Sequence, residues 1–534
     1  VQQKGVREIS ITVREATVRL LRQLGLTTVF GNPGSTELPL FRDFPADFRY
    51  VLGLQETVAV GMADGFAQAR RGAALVNLHS SAGVGNALGN LFTAYKNQTP
   101  LVVTAGQQAR SILPFEPFLY AERPTEFPRP FVKWACEPAR AKDVPLAIAR
   151  AYHEAMTPPC GPAFVSIPVD DWDRMCSPVA AREMATLNPG DPCMIDRLTT
   201  AVQAADRPAF VLGAGTARDD AWESLLQLAE QERAAVYAGT YSCRNVFPED
   251  HRLFGGFLPA FREQLVDRLS GHDLIVSFGG ALNIYHAEGA GPHLPAGAQL
   301  WTVGDSPGAL ASAPEGNAIL GNTRSIALQM LGRSSGCNRA GPAARAAPAP
   351  LDRGRFDDRM VFSQIAAARP PEAIVVEEAP SSRPAMHEHL RFTEPDTFFT
   401  TGSGGLGYAM PAAVGIALAR PDARVIAILG DGSAMYSEQA LFAATQLNAS
   451  VTFVVINNGG YEALRQFGQG FAMTKVPGAD INGLDFTALA VGHGMNGARV
   501  DNADDFQRSL AKSFASDGPL LIEACVQASS GSER

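Results

Sequence analysis

Short apolar runs alternate along this chain with stretches of helical period, and glycine or proline marks nearly every junction. The first helical stretch is Thr12–Leu24, where Ala16, Leu20, Leu21 and Leu24 share one face and Gly25 supplies the stop. Apolar runs at Thr28–Phe30, Tyr50–Leu54, Ala73–Leu78 and Leu101–Ala105, and another in GPAFVSIPVDDWDR, are short enough to be buried strands. The same rhythm returns at Arg207–Gly213, Ala234–Ala238 and Leu274–Phe278, around a predicted helix at Ala221–Glu232. It returns again at Ala373–Glu377, Arg424–Leu429, Val451–Ile456 and Leu520–Ala524. Strands alternating with helices build parallel sheets covered by helices. The pattern predicts an α/β chain of three doubly wound parallel-sheet domains, at 1–185, 190–335 and 356–534. The Pro/Ala/Gly-rich stretch 336–355 reads as a linker.

The stretch Arg424 to Tyr461 reads strand, tight turn, helix, strand, tight turn. Its helix opens at Ser437-Glu438 and carries Ala440, Leu441, Ala444 and Leu447 at helical spacing. A right-handed crossover makes the two strands parallel neighbours. Asp431, in Gly430-Asp431-Gly432, then lies beside Asn458, in Asn457-Asn458-Gly459-Gly460. Both stand at the carboxyl edge, where open α/β sheets bind ligands. A carboxylate, an amide oxygen and a glycine-loosened carbonyl are hard donors suited to Mg²⁺ shared with a phosphate group.

Other polar residues stand at predicted strand ends. Ser35, in GNPGSTELPLF, is either a helix cap or a group at the sheet edge. Glu56 marks a strand-to-helix junction, as an acid favoured by the helix dipole or as a buried working carboxylate. Gly61 and Gly65 share one face of the helix that follows, so another backbone can come close. His79 ends its strand at the same edge as Ser35 and Glu56. His286, in ALNIYHAEG, reads on its residues alone as a surface-loop histidine. The long aromatic loop Arg110–Pro130 is of a length that is usually functional or disordered, and its Phe115 and Phe118 wall a pocket or pack in the core. GAGTARD offers Gly213 and Gly215 but no complete GxGxxG, which is weak ground for a dinucleotide.

Charge and cysteines narrow the choice of partners. A net charge of -9 gives no basic footprint for nucleic acid. No apolar run reaches the ~18 residues of a membrane span. The start VQQKGVREIS lacks the apolar core of a signal peptide. Seven scattered cysteines without a CxxC pair point to reduced thiols and a cytoplasmic setting.

Gly-Asp-Gly, 24 intervening residues and Asn-Asn together resemble the signature of thiamine-diphosphate enzymes. The resemblance implies a pyrimidine-binding first domain, a middle domain and a diphosphate-binding last domain. It implies that Asp431, Asn458 and the backbone of Gly460 hold Mg²⁺ (or Ca²⁺), which grips the cofactor's diphosphate. Glu-x4-Gly-x3-Gly from Glu56 is similar to the element that supplies the glutamate hydrogen-bonded to the aminopyrimidine. Leu406, in the glycine-dense loop TTGSGGLGYAMP, is then the residue that supports the bent cofactor, and a carbonyl near Gly404 accepts from its amino group. Ser381, Gly432, Ser433 and Tyr461 complete the implied cofactor contacts.

Within this family the chain resembles the branch that decarboxylates aromatic 2-oxo acids such as benzoylformate. The likeness runs through VFGNPGSTELP, LQETVAVGMADGFAQA, NLHSSAGVGNALG, GGLGYAMPAA, GDGSAMYS and NNGGYEALRQF. It implies that Ser35 anchors the substrate carboxylate, and that His79 and His286 donate and accept protons. It implies too that Ala463 and Phe467, with Tyr461, wall the pocket. Pro380 and Arg383 depart from the branch, which carries threonines there; Arg383 either selects a second anionic group or forms a salt bridge outside the pocket. The implied reaction is cofactor-borne loss of CO₂ from a small 2-oxo acid, giving an aldehyde. The implied assembly is a homo-oligomer, a dimer of dimers, with Glu56 serving a cofactor whose metal another subunit holds. A carboligase or lyase of the acetolactate synthase or benzaldehyde lyase kind, a flavin-bearing relative and a binding module of the same fold are the alternatives.

Overall fold

A computed structural model describes residues 10–527 except 344 and 349. The polar start at positions 1–9 lies outside the described residues. The first helix, α1 (Val13–Gln23), begins at Thr12, whose hydroxyl and backbone N–H exchange hydrogen bonds with Glu15 in a capping box. Its stop is Gly25, at φ +71. Strands β1 (Thr28–Gly31), β2 (Arg49–Leu52), β3 (Ala74–Leu78), β4 (Leu101–Gln107), β5 (Trp134–Cys136) and β6 (Ala163–Pro168) form one sheet, ordered β2-β1-β3-β4-β6-β5. Every pairing in it is parallel. Helix α2 (Glu56–Arg70) follows β2, and α3 (Ser80–Asn97) follows β3.

The middle strands are β7 (Pro208–Leu212), β8 (Ala235–Ala238), β9 (Phe254–Phe257), β10 (Leu274–Phe278), β11 (Gln299–Gly304) and β12 (Asn317–Leu320). They form a parallel sheet ordered β9-β8-β7-β10-β11-β12. Alternate residues of β7 enter two different cores: Phe210 and Leu212 pack with Leu225 and Leu228, while Ala209 and Val211 pack with Ile275 and Leu300. Both faces are therefore covered, which is why the run reads as continuously apolar. Next come β13 (Ile374–Glu378), helix α4 (Arg383–His389) and β14 (Phe398–Thr400), with β13 and β14 paired in parallel.

In the last stretch, helix α5 (Ala409–Ala419) precedes β15 (Val425–Gly430). Helix α6 (Ala440–Gln446) crosses over to β16 (Val451–Asn457). Helix α7 (Glu462–Gly470) follows, and β17 (Asn496–Val500) and β18 (Leu520–Cys525) complete the parallel order β15-β16-β18-β17. The register Gly430↔Ile456 sets Asp431 and Asn458 at adjacent strand ends, as the crossover predicts.

Compactness divides the chain into two units. One holds the residues up to Ala185, Ser403–Asp501 and Arg508–Cys525; the other holds Thr186–Gly402 and Asn502–Gln507. Inside the first unit, α2 packs on α5 through glycines. A Cβ on Gly65 would collide with the Ala412 carbonyl, and one on Gly415 with the Met62 carbonyl. Gly61 likewise faces the Pro411 ring.

Candidate active site

At the carboxyl edge of the first sheet, Gln55 caps α2: its side chain accepts from the Thr57 amide at 2.6 Å. Glu56 is therefore not the cap. Its carboxylate is buried and turned toward two side-chain amides, Asn86 at 3.0 Å and Asn32 at 3.5 Å. Asn90 donates to the Thr57 carbonyl at 2.8 Å and to the Gly407 carbonyl at 3.1 Å, which ties the start of α2 to the loop bearing Leu406.

His79 stands at the N-cap of α3, where its side chain caps nothing. Its Nδ1 lies 2.8 Å from Glu37 and 3.1 Å from the Thr36 hydroxyl. Glu37 is buried and also accepts from the amides of Gly34 at 2.9 Å and Gly106 at 3.0 Å, and from Thr36 at 2.5 Å. The Thr36 hydrogen goes to Glu37, and a carboxylate only accepts, so Nδ1 carries the His79 proton. A Cβ on Gly34 would occupy the imidazole's place. Tyr50 lies nearby with its hydroxyl buried and unpartnered among the described residues. Burial pushes this phenol up, and the charges of Glu37 and Glu56 push it further. Ser35 sits exposed in the turn before Leu38–Phe41; that short helix starts at Glu37, so Ser35 is not a cap either.

A second cluster lies at the end of β15 and β16. Asp431 is buried and accepts from the Gly432 amide at 2.7 Å and the Gly460 amide at 2.9 Å. Burial pushes its carboxyl up, and backbone amides of residues 432 and 458–460 pull it partly back. The Asn458 side-chain oxygen is buried with no partner among the described residues. The Gly460 carbonyl already accepts from Glu462 at 3.0 Å, and its second lone pair remains. A Cβ on Gly432 would strike the Tyr461 ring, so only glycine fits there. Ser433 is buried, Gly404 is exposed at φ +72, and Leu406, Ala463 and Phe467 are half-buried.

The second unit carries the remaining candidates. His286 is exposed, and its Nδ1 lies 2.6 Å from the Tyr241 hydroxyl. Arg383 opens α4, donating from Nε to Glu377 at 2.7 Å and from Nη2 to the Thr400 hydroxyl at 2.9 Å. The Glu377 side chain is wholly buried. Of the two roles open to Arg383, the salt bridge is the one observed. Ser381 is half-buried in the turn between β13 and α4, and Pro380 is exposed.

The structure thus gathers Glu56 and His79 at one edge, Asp431, Asn458, Gly460 and Tyr461 at another, and His286 with Tyr241 at a third. It does not pack Phe115 and Phe118 in the core, and the Leu119 carbonyl, beside Phe118, accepts from the Ser80 hydroxyl, next to His79. The two phenylalanine side chains are 79% and 86% exposed, on a loop with a single 3-10 turn. Glu37, Asn86, Tyr241 and Glu377 escape sequence reading, because each is defined by a partner distant in the chain or hidden by burial.

Three family models match the chain. They are the N-terminal TPP binding domain, the central domain and the C-terminal TPP binding domain of thiamine pyrophosphate enzymes, over residues 11–122, 195–329 and 381–524. The chain is 40% identical over 528 residues to a benzoylformate decarboxylase of Pseudomonas aeruginosa, covering 97% of this chain and 99% of the relative. It superimposes on a benzoylformate decarboxylase of Polynucleobacter necessarius with a TM-score of 0.95 at 38% identity, over 97% of this chain and 98% of that one. A thiamine diphosphate-dependent 4-hydroxybenzoylformate decarboxylase of Rhodococcus jostii RHA1 matches at 0.94 and 39%, over 97% and 99%. With the parallel sheets, the Asp431–Asn458 edge and near full-length likeness in agreement, the chain belongs to the thiamine pyrophosphate enzyme family.

Proposed function

We propose that this protein decarboxylates an aromatic 2-oxo acid of the benzoylformate type, using thiamine diphosphate and Mg²⁺, and releases an aldehyde. The observation that carries the reading is the Asn458 oxygen, buried and without a partner among the described residues, beside the desolvated Asp431 carboxylate. A buried polar atom without a partner is costly unless something else satisfies it. A carboxylate, an amide oxygen and a carbonyl fit a hard divalent cation that also binds phosphate. Asp431, Asn458 and the Gly460 carbonyl would hold that metal, and Tyr461, Gly432, Ser433, Leu406, Gly404 and Ser381 would line the cofactor.

Bound thiamine diphosphate supplies an electron sink for the carbon that loses CO₂. The chain's own groups orient and move protons. Glu56, held by Asn86 and Asn32, would hydrogen-bond the aminopyrimidine and exchange a proton with it. His79 and His286 would relay protons at the substrate, and Ser35 would anchor its carboxylate. A homo-oligomer, a dimer of dimers, is part of the proposal; the exposed Phe115 and Phe118 support a covering surface. No described helix is long and apolar enough to cross a membrane. The seven free cysteines support a reducing, cytoplasmic setting.

The Glu377 pairing bears on substrate choice. An arginine neutralised by a buried carboxylate has little net charge to offer a second substrate carboxylate. This favours an aromatic monocarboxylate over a dicarboxylate. The test is kcat/KM for benzoylformate against 2-oxoglutarate, in the wild type and in Arg383→Lys, with products identified. Benzoylformate should win by roughly two- to tenfold in both proteins, since one aromatic contact is worth roughly 0.5–1.5 kcal/mol. A wild-type preference for the dicarboxylate, or hydroxyketone as the main product, would overturn the choice.

A further inference from the structure

The two histidines proposed for proton relay have chemically unlike partners. Glu37 only accepts hydrogen bonds, so neutral His79 carries its proton on Nδ1 and leaves Nε2 as an acceptor. A phenol both donates and accepts, so the His286 tautomer follows from which of the two rings is the donor. The Tyr241 hydroxyl has one acceptor among the described residues, His286 Nδ1 at 2.6 Å. Burial pushes the phenol up and the Arg383 guanidinium pulls it only partly back, so it keeps its hydrogen at neutral pH. With Tyr241 as the donor, neutral His286 carries its own proton on Nε2.

The pair is also held in place. Tyr241 has φ +55, a left-handed conformation that disfavours a bulky side chain and survives where the surroundings impose it. On one side, the Gly239 amide bonds the Leu212 carbonyl at 2.8 Å, and Thr240 reaches the Pro259 carbonyl at 3.1 Å. On the other, the Cys243 carbonyl accepts from the Thr400 amide at 2.9 Å. The His286 amide bonds the Ala260 carbonyl at 2.9 Å, next to the residue Thr240 holds. Three loops at the carboxyl edge of the middle sheet, following β8, β9 and β10, thus fix donor and acceptor together. The two rings meet edge to face, at 64° with centroids 6.0 Å apart.

We propose that Tyr241 is a positioning residue that sets His286 in the tautomer with its proton on Nε2, opposite to the tautomer Glu37 sets in His79. His286 would thereby present a proton donor where His79 presents an acceptor. The inference rests on the proposed relay role of His286 only for its kinetic consequence.

The test uses the full chain labelled with ¹⁵N-histidine, His286 being assigned with His286→Gln. Two-bond ¹H–¹⁵N correlations should show His286 protonated on Nε2 near neutral pH. Tyr241→Phe, which keeps the ring and loses the hydroxyl, should move His286 to an averaged pattern and leave His79 unchanged. Turnover in Tyr241→Phe should fall on the order of tenfold with KM unchanged, the worth of one good hydrogen bond. Added to His286→Ala, the same substitution should lower turnover no further. Nδ1 protonation of His286 in the wild type, or an unaltered pattern in Tyr241→Phe, would overturn the assignment. The Nε2 pattern together with normal turnover in His286→Ala would uphold the tautomer and overturn the relay role instead.

Discussion

Glu37 gathers four donors onto one buried carboxylate: the amides of Gly34 and Gly106, the Thr36 hydroxyl and His79 Nδ1. Glu37→Gln keeps the shape but turns an NH₂ toward a group that must donate, an unmet contact of about 1–3 kcal/mol. We expect a turnover loss of about tenfold or more, with KM little changed, since His79 loses its fixed proton position. In a His79→Ala background the same substitution should lower turnover no further; an equal loss there would mean that Glu37 only supports the fold. Sequence reading misses this residue because a glutamate just after a glycine loop resembles any helix start, and one of its donors lies 69 positions away. Asp431 gives a second prediction. Burial raises its carboxyl, and a raised group adds stability only below the unfolded carboxylate range, losing it as pH rises through the folded value. At neutral pH the ionised group is a net cost in metal-free protein. Asp431→Asn turns an NH₂ toward the Gly432 or the Gly460 amide, so its own melting temperature carries that cost at every pH. The pH dependence isolates the charge: the melting temperature of metal-free wild type relative to Asp431→Asn should rise as pH falls from 7 toward 4, and the variant should lose metal-dependent cofactor binding. A relative melting temperature that stays flat or falls over that range would contradict this.

At the level of elements, the glycine face of α2 is legible in the chain and its partner is not. Gly61 and Gly65 announce a close approach, but only the folded chain identifies α5, whose Gly415 meets the Met62 carbonyl. Gly415→Ala must push the two helices apart, at about 1–3 kcal/mol. Denaturant unfolding should show that loss, and activity should fall with it because α2 carries Glu56. Unchanged stability would mean that the helices separate freely. The Asp431–Asn458 edge was readable because strand, crossover and strand leave one arrangement. The capping of α2 was not: Gln55 and Glu56 are neighbours with similar side chains, and burial decides which one turns inward. Arg383 was ambiguous for the same reason, since Glu377 sits inside a strand that reads as apolar.

For the molecule as a whole, the three strand repeats predict the three parallel sheets, while compactness joins the first and last stretches into one unit. The repeats are a property of local sequence, and that union is a property of packing such as α2 on α5. The central claim is that activity depends on a cofactor held through Asp431, Asn458 and Gly460. Its most direct test is benzaldehyde formation from benzoylformate by protein stripped with a chelator and dialysed, then given Mg²⁺ and thiamine diphosphate separately and together. Activity should vanish on stripping, stay absent with either alone and return with both. Full activity in protein verified to be free of metal and cofactor would contradict the account.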